Sequence, residues 1–223
     1  MIVSHRHKFI FLKTRKTGGT SLEIGLSEHC GPDDIITEIS PSDEETRKGL
    51  GFRGPQNHAL STGQVALIGG EGKRAHFFVN HDPAARILKG LGDGIWNSYY
   101  KFTIERNPFD KAISRYYWNT RNRAKPESIS NFLSQCSSHL LSNWGIYTLE
   151  DRIAVDHVIC YENLAEEIQR LARELRTGSI TMPRAKGSHR RDRRPYQDVL
   201  SERDRELIER VCAREMTEFG YKW

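Results

Sequence analysis

Apolar positions in this chain fall in short runs, separated by stretches long enough for helices. The run "KFIFLK" (8–13) predicts a buried strand, and "TSLEIGLSEH" (20–29) a helix leading away from it. Residues 31–73, which include "GPDDIITEISPSDEETRKGLGFRGPQNH", are crowded with Gly, Pro, Ser and charge. They predict a loop-rich insertion with one strand at "DIITEI", of the kind that shapes a substrate site. "RAHFFVN" (74–80) predicts a strand. In "DPAARILKGLG" (82–92), Asp82 is the expected N-cap of a helix and Pro83 its first residue.

The pattern then repeats. "YYKFTIER" (99–106) predicts a strand and "NPFDKAISRYYW" (107–118) a capped helix with Ala112, Ile113, Tyr116 and Tyr117 inward. "SISNFLSQC" predicts a further helix, and "VDHVICYENLAEEIQRLARELR" a strand running into an amphipathic one. "SERDRELIERVCAREMTEF" predicts one last helix, with Ser201 as N-cap and Leu207, Ile208, Val211 and Met216 or Phe219 inward. Strands alternating with helices argue for an α/β fold, a parallel sheet flanked by helices in a single domain over residues 1–223.

Length and composition support that reading. A chain of 223 residues buries a core without metal or disulfide staples, and 37% apolar with 28% charged residues fits a globular protein. The four cysteines, Cys30, Cys136, Cys160 and Cys212, are widely spaced and form no C-x-x-C pair, so they read as reduced thiols. No apolar stretch reaches the ~20 residues of a membrane span, and no secretory signal is visible, which predicts a cytoplasmic protein. The net charge of +5 is small, but its placement is uneven. Residues 101–125 hold seven Lys/Arg against Glu105 and Asp110, and residues 184–194 hold six against Asp192. Such clusters are either solvated faces or anion sites.

Two stretches carry candidate chemistry. In "FLKTRKTGGTSLE" (11–23) a strand end, two glycines and a helix start offer backbone N–H groups and a helix dipole to an anion. The Walker pattern is not met, because Lys16 stands before Gly18 and no lysine directly precedes Thr20 or Ser21. The plain alternative is a Gly-Gly turn beside a basic strand end. In "IERNPFDKAIS" (104–114), Arg106 ends a strand and Ser114 lies two turns into the next helix, so a bidentate guanidinium and a hydroxyl can meet one phosphate.

The order Lys-Thr-Gly-Gly-Thr-Ser-Leu resembles the 5′-phosphosulfate loop of sulfotransferases that use 3′-phosphoadenosine-5′-phosphosulfate. The Arg106/Ser114 spacing resembles their 3′-phosphate element. "PRAKGSHRRDRRPY" (183–196) resembles the late basic loop of the same family, and "YENL" (161–164) and "FGY" (219–221) extend the likeness. It is closest to short, single-domain, bacterial-type members related to the carbohydrate sulfotransferases. The resemblance implies a P-loop-like sulfotransferase fold and transfer of a sulfuryl group to an acceptor hydroxyl, with carbohydrate as the acceptor class.

Residue by residue, the resemblance implies that Lys16 stabilises the leaving phosphate. Arg15, Thr17, Gly18, Gly19, Thr20 and Ser21 would hold the 5′-phosphate, and Arg106, Ser114, Lys186, Gly187, Ser188 and Arg190 the 3′-phosphate side. The product is 3′,5′-adenosine bisphosphate, and no metal is required. For the base, His81 at a predicted strand end is the choice, its ordinary pKa near 6.5 suiting neutral pH; His58 is second, and some family members use a glutamate. The plain reading of His81 is a ring that caps the following helix.

Two other classes compete. A P-loop kinase or NTPase needs a metal-binding carboxylate after a strand, for which Asp156 is the candidate. A noncatalytic anion or nucleic-acid binder would use the 184–194 basic loop, which has only Tyr196 nearby as an interleaved aromatic.

Overall fold

The apolar runs form strands, as their composition demands, but not all in one direction. The computed structural model describes residues 1–59, 78–183 and 190–223. Its strands are β1 (Ile2–Ser4), β2 (Phe9–Phe11), β3 (Ile35–Ile36), β4 (Tyr100–Glu105), β5 (Thr148–Leu149), β6 (Arg152–Ile153) and β7 (His157–Cys160). Five of them make one sheet in the order β3-β1-β2-β4-β7, and β5 and β6 pair separately. Strands β2, β4 and β7 are parallel, with Phe11 opposite Phe102 and Ile104 opposite Ile159. Strand β1 is antiparallel to both β2 and β3, so the sheet is mixed rather than parallel.

The departure has a cause distant in sequence. Between β1 and β2 the chain reverses through "HRHK", and one buried carboxylate organises that turn. Asp34 accepts from the Ser4 hydroxyl and from the backbone N–H groups of His5, Arg6 and Gly31. The three residues of β1, "IVS", are too few to register as a strand in the sequence.

Both faces of the sheet are covered, as parallel strands require. One face packs Phe9, Phe11, Phe102, Ile104 and Ile159 against Leu22 and Leu26 of the Gly19–Ser27 helix and Ile168 and Leu171 of the Leu164–Glu174 helix. The other packs Val3, Ile10 and Leu12 against Ile87, Trp96, Ile146 and Tyr147. A third cluster joins Phe109, Ala112 and Ile113 of the Pro108–Thr120 helix to Leu133, Leu200 and Ile208.

Helix boundaries follow their caps. Asn107 accepts from the Phe109 N–H with Pro108 in the first turn, as expected, and Ser201 and Asp204 form a capping box. The predicted final helix is broken at Cys212 into Glu202–Val211 and Ala213–Phe219. Pro83, not Asp82, holds the N-cap position of the Ala84–Leu91 helix; Asp82 instead accepts from the Val79 N–H and pairs with Arg86. The described end of the predicted 74–80 strand, Phe78 to Asn80, is not a strand.

Within the expected insertion a helix forms at Pro41–Gly49. It escaped the apolar pattern because its buried side chains are Asp43 and Arg47. Arg47 reaches Glu23 at 3.6 Å, and Glu23 also holds Lys13 at 2.7 Å. Burial alone would raise the Glu23 carboxyl; Lys13, the Met1 amine and Arg47 outweigh it and bring the pKa down to about 2.

A second buried charge cluster lies under the end of β4. Lys111 sits 2.8 Å from Glu105 and 3.6 Å from Glu215, all three essentially without solvent contact. Removing the cation alone leaves two buried carboxylates unpaired. Lys111→Met is therefore expected to cost about 3–5 kcal/mol of folding stability, read by urea unfolding. A cost below about 1 kcal/mol would mean that the cluster does not depend on its cation.

Candidate functional site

The three parallel strands point their C-terminal ends to one edge of the sheet, the edge where α/β folds gather ligands. From β2 comes the Leu12–Gly18 loop, from β4 comes Arg106, and from β7 comes Tyr161. The two sequence elements singled out above are thus brought to the same edge by strand direction alone.

The loop is anchored from below. The Thr103 hydroxyl donates to the Leu12 carbonyl at 2.7 Å, and the Thr14 hydroxyl donates to the Ile104 carbonyl. The Thr14 and Thr17 hydroxyls are 2.8 Å apart and both buried, so the Thr17 side chain braces the loop. Lys13 is spent on Glu23, which leaves Lys16 as the lysine presented at the top, its ammonium 4.9 Å from the Trp118 ring centre. Lys16 and Gly18 both take left-handed backbone, φ 63° and 80°.

Gly18 is the N-cap of the Gly19–Ser27 helix, and no side chain caps that helix. The first N–H groups of a helix have no partner inside it. Here Ser21 and Leu22 donate to the Gly18 carbonyl, and the Gly19 and Thr20 N–H groups stand at a point where side chains cannot intrude. A Cβ on Gly18 would stand 3.1 Å from the Tyr161 ring, and one on Gly19 3.0 Å from the Lys13 side chain. Thr20 is buried and Ser21 half-buried. This is a cradle shaped for a small anion held by backbone.

Arg106 approaches the same tyrosine. Its guanidinium lies 4.4 Å from the Tyr161 ring centre, its Nη2 is 3.9 Å from Asp110, and its buried Nε has no hydrogen-bond partner among the described residues. Asp110 also accepts from Arg190 Nη1 at 2.6 Å, so the end of the basic segment docks beside Arg106. Arg190 spends its other nitrogens on the Asp192 and Arg194 carbonyls. Lys186, Gly187 and Ser188 lie outside the described residues. Ser114 is half-buried on the Pro108–Thr120 helix, on the face that carries Trp118 and hence Lys16.

Sequence reasoning missed the residues that join these parts. Asn143, buried, accepts from the Arg15 N–H at 2.9 Å and donates to the Arg15 carbonyl at 3.1 Å. Its amide also donates to Glu105 Oε1 at 3.3 Å, an oxygen that accepts from the Arg106 N–H at 2.9 Å as well. One carboxylate oxygen therefore ties the lysine loop to the arginine. A lone Asn 128 residues away carries no pattern that would betray this.

His81 is brought to the loop, but not as a cap. Its Nδ1 donates to the Lys13 carbonyl at 3.0 Å, which leaves Nε2 as the acceptor of a neutral ring. Burial first, then the Lys13 charge, push its pKa from 6.5 down to about 3, unlike the ordinary value expected. The consequence has a sign. Between pH 3 and 6.5 the unfolded chain binds a proton that the folded one refuses, so stability falls as pH falls through that window. From pH 7 to pH 5, wild type should lose about 2 kcal/mol more than His81→Asn in denaturant unfolding. Parallel losses would contradict a neutral buried ring. The other candidate, His58, faces Glu38 at 3.8 Å.

Asp156 is misplaced for a metal-binding carboxylate. It precedes β7 and holds Lys101 at the start of β4, with 2.7 Å to its N–H and 2.9 Å to its ammonium, at the sheet edge opposite the loop. Among the described residues no cluster of three or more His, Cys, Asp or Glu is set to hold a metal, and no helix is long and apolar enough to cross a membrane.

No family model matches the chain. An uncharacterized protein of Archaeoglobus fulgidus is similar to it, 29% identical over 97 residues, which cover 42% of this chain and 81% of that protein.

Proposed function

We propose that this protein is a sulfotransferase, moving the sulfuryl group of 3′-phosphoadenosine-5′-phosphosulfate to an acceptor hydroxyl, with a P-loop-like sheet as its frame. The observation that carries this reading is the shared ring of Tyr161. A Cβ on Gly18 would meet it at 3.1 Å and the Arg106 guanidinium lies 4.4 Å from its centre, so both anion grips border one aromatic ring. A nucleotide with phosphates on both sides of one ribose suits that spacing.

In this reading the loop amides and the Thr20 and Ser21 hydroxyls take the 5′-phosphate. Arg106, with its unpartnered Nε, and Ser114 take the 3′-phosphate. Lys16 swings from the Trp118 ring to the bridging oxygen and meets the charge that develops as sulfur departs. No nucleophile from the protein is needed. As in phosphoryl transfer, positioning and electrostatics do the work.

His81 is the proposed base. A neutral ring with Nε2 free of protons has the right form, and the anionic donor arriving beside it would raise its affinity for the acceptor's proton. Carbohydrate is the acceptor class by family analogy.

The test is a thermal melt in EDTA. Stabilisation by 3′,5′-adenosine bisphosphate follows from linkage if it binds the native state. Stabilisation by ATP with magnesium alone would favour an NTPase instead.

A further inference from the structure

The Pro108–Thr120 helix turns one row of side chains toward the lysine loop. Lys111, Ser114, Arg115 and Trp118 stand at i, i+3, i+4 and i+7, within one face. The two ends of that row are in contact with the loop's supports or with the loop itself. Lys111 binds Glu105, which Asn143 links to the Arg15 backbone, and Trp118 lies under the Lys16 ammonium. Arg115 lies between these two along the same row, one turn after Lys111.

Its surroundings are unusual for an arginine. Arg115 is 8% exposed, and its buried Nε has no hydrogen-bond partner among the described residues. Among the described residues no carboxylate lies within ion-pair distance of it, nor of the half-buried Arg15 side chain. Burial lowers the Arg115 pKa; Cys136 opposes that shift and the like charge of Arg15 adds to it. A guanidinium stays protonated in proteins, so both charges persist. A buried cation beside a half-buried one, without an anion, destabilises the free protein. Such an orphaned donor calls for a function.

We propose that Arg115, with Arg15 beside it, is an oxyanion subsite for the sulfuryl group in transit, gripping two of its nonbridging oxygens. This rests on the sulfotransferase reading. In the step it serves, the acceptor oxygen bonds to sulfur while the bond from sulfur to the bridging oxygen breaks. The electron pair stays on the phosphate of 3′,5′-adenosine bisphosphate, and the hydroxyl proton leaves to the base. A planar fork holding two oxygens fixes the sulfur in line between entering and leaving atoms.

Arg115→Met and Arg115→Lys test this, with donor hydrolysis to inorganic sulfate as the turnover assay, so that no acceptor need be known. Arg115→Met should slow hydrolysis about 10–100-fold and leave bisphosphate affinity within about threefold, because the bisphosphate has no sulfuryl group. Its unliganded melting temperature should equal or exceed that of wild type, since an unpaired buried charge is gone. Arg115→Lys, which keeps charge but not the fork, should restore part of the rate.

Hydrolysis within about threefold of wild type in Arg115→Met would overturn the proposal. So would a lower melting temperature with rate and bisphosphate affinity falling together, the mark of a structural role. Failure of wild type to bind the bisphosphate would sink the sulfotransferase reading instead, a distinguishable result.

Discussion

Lys16→Ala is expected to lower turnover of 3′-phosphoadenosine-5′-phosphosulfate by about 10²–10³-fold, the loss typical when a donor aimed at developing charge is removed. The substitution isolates the ammonium. Lys16 has left-handed backbone at φ 63°, and alanine meets the same steric cost there, so the loop geometry is not given a new reason to change. The loop also keeps its supports, since Thr14, Thr17 and Asn143 hold it from sites that do not involve the Lys16 side chain. Ground-state affinity for 3′,5′-adenosine bisphosphate should fall far less than turnover, because the cradle amides remain. The check is single-turnover kinetics beside calorimetric binding. Unchanged turnover would remove Lys16 from the chemistry, and equal losses in both quantities would make it a binding residue only.

Arg106→Ala is expected to act on the other grip. Hydrogen bonds to charged groups contribute about 1.5–3 kcal/mol each, so losing the guanidinium should weaken the bisphosphate about 10–100-fold. Adenosine 5′-phosphate, which lacks the 3′ group, should lose no more than about threefold. The protein should tolerate the change. Arg106 stacks on Tyr161 and only skirts Asp110 at 3.9 Å, while Arg190 keeps Asp110 paired at 2.6 Å. Equal losses for both nucleotides would remove Arg106 from the 3′-phosphate.

What the sequence revealed follows the kind of physics each feature obeys. Local rules were legible: the Asn107–Pro108 start, the Ser201 cap and the Gly18–Gly19 turn each state themselves within a few residues. The Pro41–Gly49 helix was not, because its buried side chains are Asp43, which accepts from the Ser40 hydroxyl, and Arg47, which pairs with Glu23 and Glu44. Strand direction was half legible. Parallel β2, β4 and β7 follow from the intervening helices, whereas β1 depends on Asp34 closing a turn some 30 residues upstream.

The site divides the same way. Lys16, Arg106 and Ser114 announce themselves by spacing, and the strand ends bring them to one edge. Tyr161, Trp118, Asn143 and Arg115 acquire meaning only from what they touch across the fold. His81 shows the limit most plainly. Its choice rests on a strand end that residues 78–80 do not form, and its pKa is set by burial and by Lys13, which no linear pattern encodes.

The central claim is that the glycine cradle and Arg106 grip one nucleotide from both ends. Isothermal titration of wild type in EDTA with 3′,5′-adenosine bisphosphate, against adenosine 5′-phosphate, tests it most directly. A single site that prefers the bisphosphate by at least about tenfold is the predicted result. Equal affinities, or heat seen only with ATP and magnesium, would contradict it.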